Sequence, residues 1–500
     1  MRRVWIASIV LALAVVGSCR WLLPERFAVN APIGHMLFGR GAETPAPDIL
    51  EERFRAPEGY AVGLFAGSLD NPRMLRFTSG GDLLVSAPRS GRILLVERDA
   101  DGDGASDGTR TLLEGLARPH GMDFFEKWLY VAEGDGVGRI EFDPATGQTR
   151  GSYERVVNGL PAGGNHWTRT LRFGPDGWMY VSIGSSCNVC EEDDPRRAGM
   201  VRYRPDGSDE QIVARGLRNS VGFDWQPGTE RLYATDNGRD LLGDDFPPCE
   251  LNQIQVGGFY GWPYANGDRI PDPDFGAGNE ARVESSIPPV HGFRAHNAPL
   301  GMAFVRGAEV GEPLRGAALV ALHGSWNRTR KDGYKVVSLH WDGAGGVTER
   351  DFLTGFLDGD DVIGRPVDVA EGPDGAIYVS DDFAGAIYRV APSGGRKSFA
   401  MASATAPAAK DPLAGLTAAE RAAREKRGRA LFESSGCAAC HDAGRAQAGV
   451  VAVRLQGLGA RYSIDSLTEF LAAPTPPMPP VDLAADARRD LAVHLLAEYP

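Results

Sequence analysis

Gly174-Pro175-Asp176-Gly177-Trp178-Met179-Tyr180-Val181-Ser182 decides the fold, because the chain repeats it as Gly372-Pro373-Asp374-Gly375-Ala376-Ile377-Tyr378-Val379-Ser380. In both copies Pro pre-sets φ and Gly supplies positive φ for a tight turn, and a short β-rich run follows. Looser copies are Ser79-Gly80-Gly81-Asp82-Leu83-Leu84-Val85-Ser86, Lys127-Trp128-Leu129-Tyr130-Val131-Ala132, Arg231-Leu232-Tyr233-Ala234-Thr235 and a degenerate Ala317-Ala318-Leu319-Val320-Ala321. Their anchors at 84, 130, 180, 233, 319 and 378 lie 46, 50, 53, 86 and 59 residues apart. Turn-bounded strands recurring roughly every 40 to 50 residues are the signature of propeller blades. Six anchors predict an all-β six-bladed β-propeller over 46–392, with an insertion at about 240–300 between the fourth and fifth blades. A β-sandwich would not explain a repeat of that length. Function is expected on the loops of one rim.

Composition fits this reading. The 500 residues include 64 Gly and 34 Pro, an excess over the roughly 7% and 5% of average chains. Hydrophobic residues at 43% and charged residues at 24% exclude a disordered chain. A net charge of −13 argues against nucleic acid as a partner.

The head of the chain reads as an export signal. Arg2 and Arg3 precede an apolar run from Val4 to Gly17. Val16-Gly17-Ser18-Cys19 resembles a bacterial lipobox, which makes Cys19 the lipidation candidate; an uncleaved anchor is the alternative, since Trp21-Leu22-Leu23 prolong the apolar stretch. Residues 1–45 are therefore excluded from the fold. The expected location is periplasmic and membrane-associated, a space in which disulfides persist.

After the propeller, 393–412 reads as an Ala/Pro/Ser/Gly linker, and 413–500 as a small helical domain. Thr417-Ala418-Ala419-Glu420 is a capping box opening a helix toward Glu433, and Asp482 to Tyr499 forms a terminal helix. Between them Cys437-Ala438-Ala439-Cys440-His441 is the attachment signal for haem c: Cys437 and Cys440 for the thioether bonds, His441 for the iron. Met478, between Pro476-Pro477 and Pro479-Pro480, is the expected second axial ligand, with His494 the competitor. The region resembles a class I cytochrome c.

Cys187-Asn188-Val189-Cys190 has the same spacing with Glu191 in place of His, so a local rim disulfide is expected. Cys249 is left single. Asp99, Asp101, Asp103 and Asp107 around Gly104 alternate as in an oxygen cage for calcium; a solvated acidic turn is the alternative.

A haem beside a propeller with no nucleotide fingerprint needs another redox source. Asn165-His166-Trp167-Thr168-Arg169, Gly216-Leu217-Arg218-Asn219, Thr235-Asp236-Asn237-Gly238-Arg239-Asp240, His323-Gly324-Ser325-Trp326-Asn327-Arg328 and Gly364-Arg365-Pro366 occur in one order over about 50–392. Together they resemble the soluble glucose and sorbosone (pyranose) dehydrogenases that use pyrroloquinoline quinone (PQQ). The resemblance implies PQQ at the channel mouth beside Ca²⁺. It makes His166 the base that takes the sugar hydroxyl proton as hydride moves to the quinone. It puts Arg218, Asn219 and Arg365 on PQQ, and the main-chain carbonyls of Gly238 and Arg239 on calcium. The glucose enzymes have Pro at the place of Arg239 and a Lys near 323–328; here His323 or Arg328 stands in, with Trp326 available to stack.

The expected activity is oxidation of a sugar, sugar aldehyde or polyol, with electrons passing to haem c and a respiratory acceptor. A calcium-dependent lactonase-type propeller and a non-catalytic haem-linked binding module are the alternatives.

Overall fold

The computed structural model describes residues 28–30, 41–307, 310–311, 314–342, 345–393, 412–441, 455, 458, 462–472, 474, 478, 481 and 483–499. Cys19 and its leader, and most of the 393–412 linker, lie outside the described residues. The chain divides into two compact units, Met1–Met401 and Ala402–Pro500.

In the first unit, six sheets make six blades, antiparallel except where Gly258–Phe259 adds in parallel to the outer strand of the third. They occupy 75–113 (blade 1), 122–158 (blade 2), 169–215 (blade 3), 223–293 (blade 4), 299–353 (blade 5), and 366–392 with 60–66 (blade 6). Each sequence anchor falls in the second strand of its blade.

The repeated turn explains why. Asp176 accepts from the Trp178 N–H at 3.2 Å and from the Tyr180 hydroxyl at 2.8 Å. Asp374 repeats the pair with the Ala376 N–H at 3.2 Å and the Tyr378 hydroxyl at 3.1 Å. Gly177 and Gly375 hold φ of 74° and 75°, where a side chain is disfavoured. Arg202 and Arg389, one strand further out, complete each set on the same carboxylate at 3.3 and 2.8 Å. All of these bonds are made within one blade, so equal sequence gives equal structure.

Apolar faces pack blade against blade. Tyr130 and Val137 meet Leu171, Met179 and Val181 between blades 2 and 3, and Phe125 stacks on Phe173 at 4.7 Å. Each such fully buried side chain contributes roughly 1.5–3 kcal/mol.

Ring closure carries no turn signature and was not legible. Tyr60–Ala66 pairs antiparallel with Ala386–Pro392, so the first strand in sequence becomes the outermost strand of the last blade and closes the ring. The long insertion was expected between blades 4 and 5, but it falls inside blade 4, between strands Cys249–Ile254 and His291–Phe293 of the same sheet. There it forms the hairpin Ala265–Asn266 with Ile270–Pro271 and a short helix Glu280–Ser285.

The second unit is helical. Ala418–Ser434 opens on the expected capping box, with Thr417 and Glu420 bonding reciprocally. Ala438–His441, Ile464–Ala472 and Ala485–Glu498 follow. The first and last of these helices touch at Gly428, where a Cβ would come within 2.1 Å of the Asp490 carbonyl oxygen. Arg424 and Arg427 hold the Asp490 carboxylate across the same crossing. Leu467, Leu471, Leu491, Leu495 and Leu496 form the core, with Met478 packed on it. His494 is buried and lies 5.8 Å from Phe432, so it packs within the unit.

Candidate active site

Each blade begins with an inner strand, and the residues opening those strands gather at one end of the channel. They are Arg73, Arg118 with His120, His166 with Trp167, Arg218 with Asn219, His296 with Asn297, and Arg365. A cleft of 460 Å³ there is lined from blades 1, 2, 3 and 6.

His166 is held from one side. Its Nδ1 lies 3.0 Å from the Ser185 carbonyl, an obligate acceptor, so Nδ1 carries the proton and Nε2 keeps a free lone pair. The Ser185 hydroxyl donates to the Cys187 carbonyl at 2.7 Å, which leaves its oxygen to accept from the same Nδ1–H at 2.8 Å. Burial, and then the Arg218 charge, push the imidazole down to about 3. It is therefore neutral throughout the physiological range.

Arg218 is buried and fully engaged. It donates to the Asn188 carbonyl (2.9 Å) and Asn188 Oδ1 (2.9 Å), to the carbonyls of Asn237 (3.1 Å) and Gly238 (2.9 Å), and to Asp240 (3.1 Å). The 187–190 segment thus braces both His166 and Arg218, and Cys187 and Cys190 are joined as a disulfide. Asn219 presents a buried Oδ1 with no partner among the described residues. Gly184 allows this closeness, since a Cβ there would meet His166 at 2.5 Å and Asn219 Oδ1 at 2.7 Å.

Across the mouth, His323 Nε2–H donates to Asp382 at 2.9 Å, and Arg73 holds the other Asp382 oxygen at 2.6 Å. Burial and the Arg365 charge lower His323 to about 4. Arg365 is anchored by the carbonyls of His323 (3.2 Å) and Gly324 (3.4 Å), and its charge has no carboxylate ion pair among the described residues.

Behind Gly238, Asp236 and Glu250 face each other across paired strands, both buried. Burial raises both; their mutual repulsion raises Asp236 further, and Glu250 reaches about 7. Asp236 is held only by the N–H groups of Arg218, Asn219 and Asn237.

Several sequence-predicted residues serve differently. The Gly238 carbonyl accepts from Arg218, so a cation there would have to use its remaining lone pair. The Arg239 side chain is buried on Asp272 (2.8 Å to each oxygen) and Asp274 (2.9 Å), a use no Pro could have. Arg328 is a brace: its guanidinium donates to the carbonyls of Asp244, Ala295 (3.2 Å) and Arg330 (3.3 Å) and to Asp245 (3.0 Å). Trp326 is half-buried, and its carbonyl accepts from Asn30 N–H at 2.8 Å. In the hairpin loop, Asp99, Asp101 and Asp107 bring carboxylate oxygens within 4.8 Å of one another, and Asp103 is not among them. Cys249 is buried, and desolvation raises its thiol to about 11.

Sequence reading missed Arg73, Arg118, His120 and Trp167. Aligning the six blades on the residue before each inner strand would have found them. Ser185, Asn188 and Asp240 had no such signal, because their roles arise only once distant loops meet.

A family model described as TrAA12-like matches residues 54–246 and 272–393, which is the propeller without the middle of the blade 4 insertion. The chain belongs to the TrAA12-like family. Within the TrAA12-like propeller fold, the calcium structure of a Trichoderma reesei family AA12 enzyme superposes with a TM-score of 0.61 at 22% identity, over 71% of this chain and 99% of that one. A Borreliella burgdorferi uncharacterized protein is 29% identical over 69% of this chain and 93% of its own length. The PQQ-dependent pyranose dehydrogenase of Coprinopsis cinerea is 24% identical over 66% of this chain. This chain matches 53% of that enzyme's length.

The mouth fits a PQQ-like anion on its own geometry. Arg118 and Arg365 have no carboxylate ion pair, and Asn219 Oδ1, Asn297 Oδ1 and His120 Nε2 are buried without a partner, among the described residues.

Proposed function

We propose that the propeller is a PQQ- and calcium-dependent dehydrogenase of sugars or related aldehydes and polyols. The observation that carries this is His166: neutral, fixed through Nδ1, with a free Nε2 beside the Arg218–Asn219 opening. PQQ, when bound, supplies the two-electron acceptor.

The chain's residues divide the remaining work. His166 Nε2 receives the proton of the substrate hydroxyl, and an acceptor that is never protonated at rest is always available for it. Arg218 and Arg365 hold positive charge where the bound group gains negative charge, and Asn219 Oδ1 accepts a hydrogen bond from it. His323, fixed by Asp382, orients the same ligand. The buried Asp236–Glu250 pair lies behind the Gly238–Arg239 turn, where a hard cation would favour its ionised form. In the Trichoderma enzyme calcium is part of the described structure.

The helical unit is proposed as a class I cytochrome c. Cys437 and Cys440 bind haem c, and His441 and Met478 ligate its iron. Electrons pass from the propeller to this haem and on to a respiratory acceptor. The location is periplasmic, on a tether that starts at a lipidated Cys19 or at an uncleaved anchor.

The test is haem reduction. Chain loaded with PQQ and Ca²⁺ should develop a reduced haem spectrum when an aldose is added, and His166→Ala should keep the oxidised spectrum unchanged. A haem that no sugar or aldehyde reduces would sink the dehydrogenase reading, and a chain that takes up no haem would sink the cytochrome reading.

A further inference from the structure

Charge in the mouth cleft does not balance. Its lining includes Arg73 and Arg118 and, among carboxylates, Asp382 alone. Arg73 and His323 already occupy both oxygens of that carboxylate. Arg118 has no carboxylate partner among the described residues. Its guanidinium lies 4.2 Å from the centre of the Trp167 ring, and its backbone is held at φ 54°, a conformation costly for an arginine. Arg118 itself is exposed at the cleft, and partial desolvation and the nearby Arg73 charge both weaken its hold on its proton. The same ring meets the edge of His120 at 5.6 Å, so Trp167 is fixed in place.

Position separates this pair from the residues proposed for the cofactor. Arg218, Asn219, His323 and Arg365 belong to blades 4 to 6. Arg118 opens blade 2, and Trp167 opens blade 3 as the next residue after His166. A sugar presenting its hydroxyl to His166 would have the Arg118 fork, held on the Trp167 ring, for a charged substituent.

We infer that Arg118 and Trp167 form a subsite for a carboxylate carried by the substrate, so that the preferred sugars are acidic ones of the uronate class. This rests on the mouth being the sugar site.

The test compares galacturonate with its methyl ester, which differ by one charge. Calorimetry on the PQQ- and Ca²⁺-loaded full chain should find the acid bound about ten-fold more tightly than the ester. Arg118→Gln should erase that ratio while PQQ affinity stays within about two-fold, and Arg118→Lys should restore part of it. Equal binding of acid and ester by the unaltered chain overturns the inference. So does a parallel loss of PQQ affinity in Arg118→Gln, since the anion would then be the cofactor's. Binding is read without turnover: an acid preference with no oxidation supports the subsite while the dehydrogenase reading fails.

Discussion

The two ends of the propeller channel use the same side chains differently. At the far end, Arg76 pairs with Asp123 at 2.5 Å, and Arg306 grips Asp224 with two 2.8 Å bonds. There Asp123, Asp224 and Asp368 also accept the N–H groups of Phe173 (2.8 Å), Phe304 (2.8 Å) and Leu75 (2.9 Å). Each carboxylate of blades 2, 4 and 6 thereby stitches its inner strand to that of the next blade. The cavity at this end, 780 Å³, exceeds the 460 Å³ cleft at the mouth. Size therefore does not pick the site. At the base the arginines are paired with carboxylates and serve structure; at the mouth Arg118 and Arg365 have no carboxylate partner among the described residues, which leaves room for a ligand.

The largest effect should come from breaking a pair at the base. Asp224→Ala leaves Arg306 without its carboxylate and Phe304 N–H without its acceptor. The half-exposed Arg306 keeps access to water while the buried Phe304 N–H is left unsatisfied, so the cost is about 1–3 kcal/mol, to be read by denaturant unfolding. PQQ affinity should be unchanged; its loss with stability intact would break the division between the two ends.

A smaller effect should follow from loosening the mouth's brace. Cys187→Ser with Cys190→Ser frees the segment whose Cys187 carbonyl anchors Ser185 and whose Asn188 holds Arg218. Aldose turnover should fall about ten-fold as base and cation lose alignment, with unfolding temperature little changed. Unaltered turnover would show that the segment only decorates the rim.

The smallest effect is a pH signature. Glu250 is raised to about 7 from its ordinary 4.5, so the folded state holds that proton more tightly than the unfolded one. Its contribution to stability is therefore full below the ordinary value and declines as pH rises through about 7. Glu250→Gln removes that penalty and should raise the unfolding temperature by about 2–5 °C at pH 8, with little gain at pH 5. An equal gain at both values would mean the pair carries no excess charge behind Gly238.

Legibility followed the range of the interactions. The Gly-Pro-Asp-Gly turns are closed by bonds within one blade, so they announced six blades and their order. The capping box at Thr417 and Glu420 was visible for the same local reason. Strand Tyr60–Ala66 was silent, because its partner is over 300 residues away. In the site, His166, Arg218, Asn219, His323 and Arg365 were readable from motif order; His166 lies by Arg218 and Asn219, and His323 by Arg365. Arg328 was not readable, because its partners at Asp244 and Ala295 come from the insertion and the start of blade 5. Arg118 and Trp167 were hidden for a different reason: each looks like ordinary rim sequence until the unbalanced charge around Asp382 is seen.

The central claim is that His166 is the base of a PQQ-dependent sugar oxidation at the propeller mouth. The most direct measurement is stopped-flow absorbance of the PQQ- and Ca²⁺-loaded chain after mixing with sugar, with His166→Ala alongside. The unaltered chain should show loss of the quinone absorbance in a sugar-dependent phase. His166→Ala should bind PQQ equally well and lose that phase by a factor of about 10² to 10⁴. An equal rate in the variant, or no phase in either protein despite bound PQQ, would contradict it.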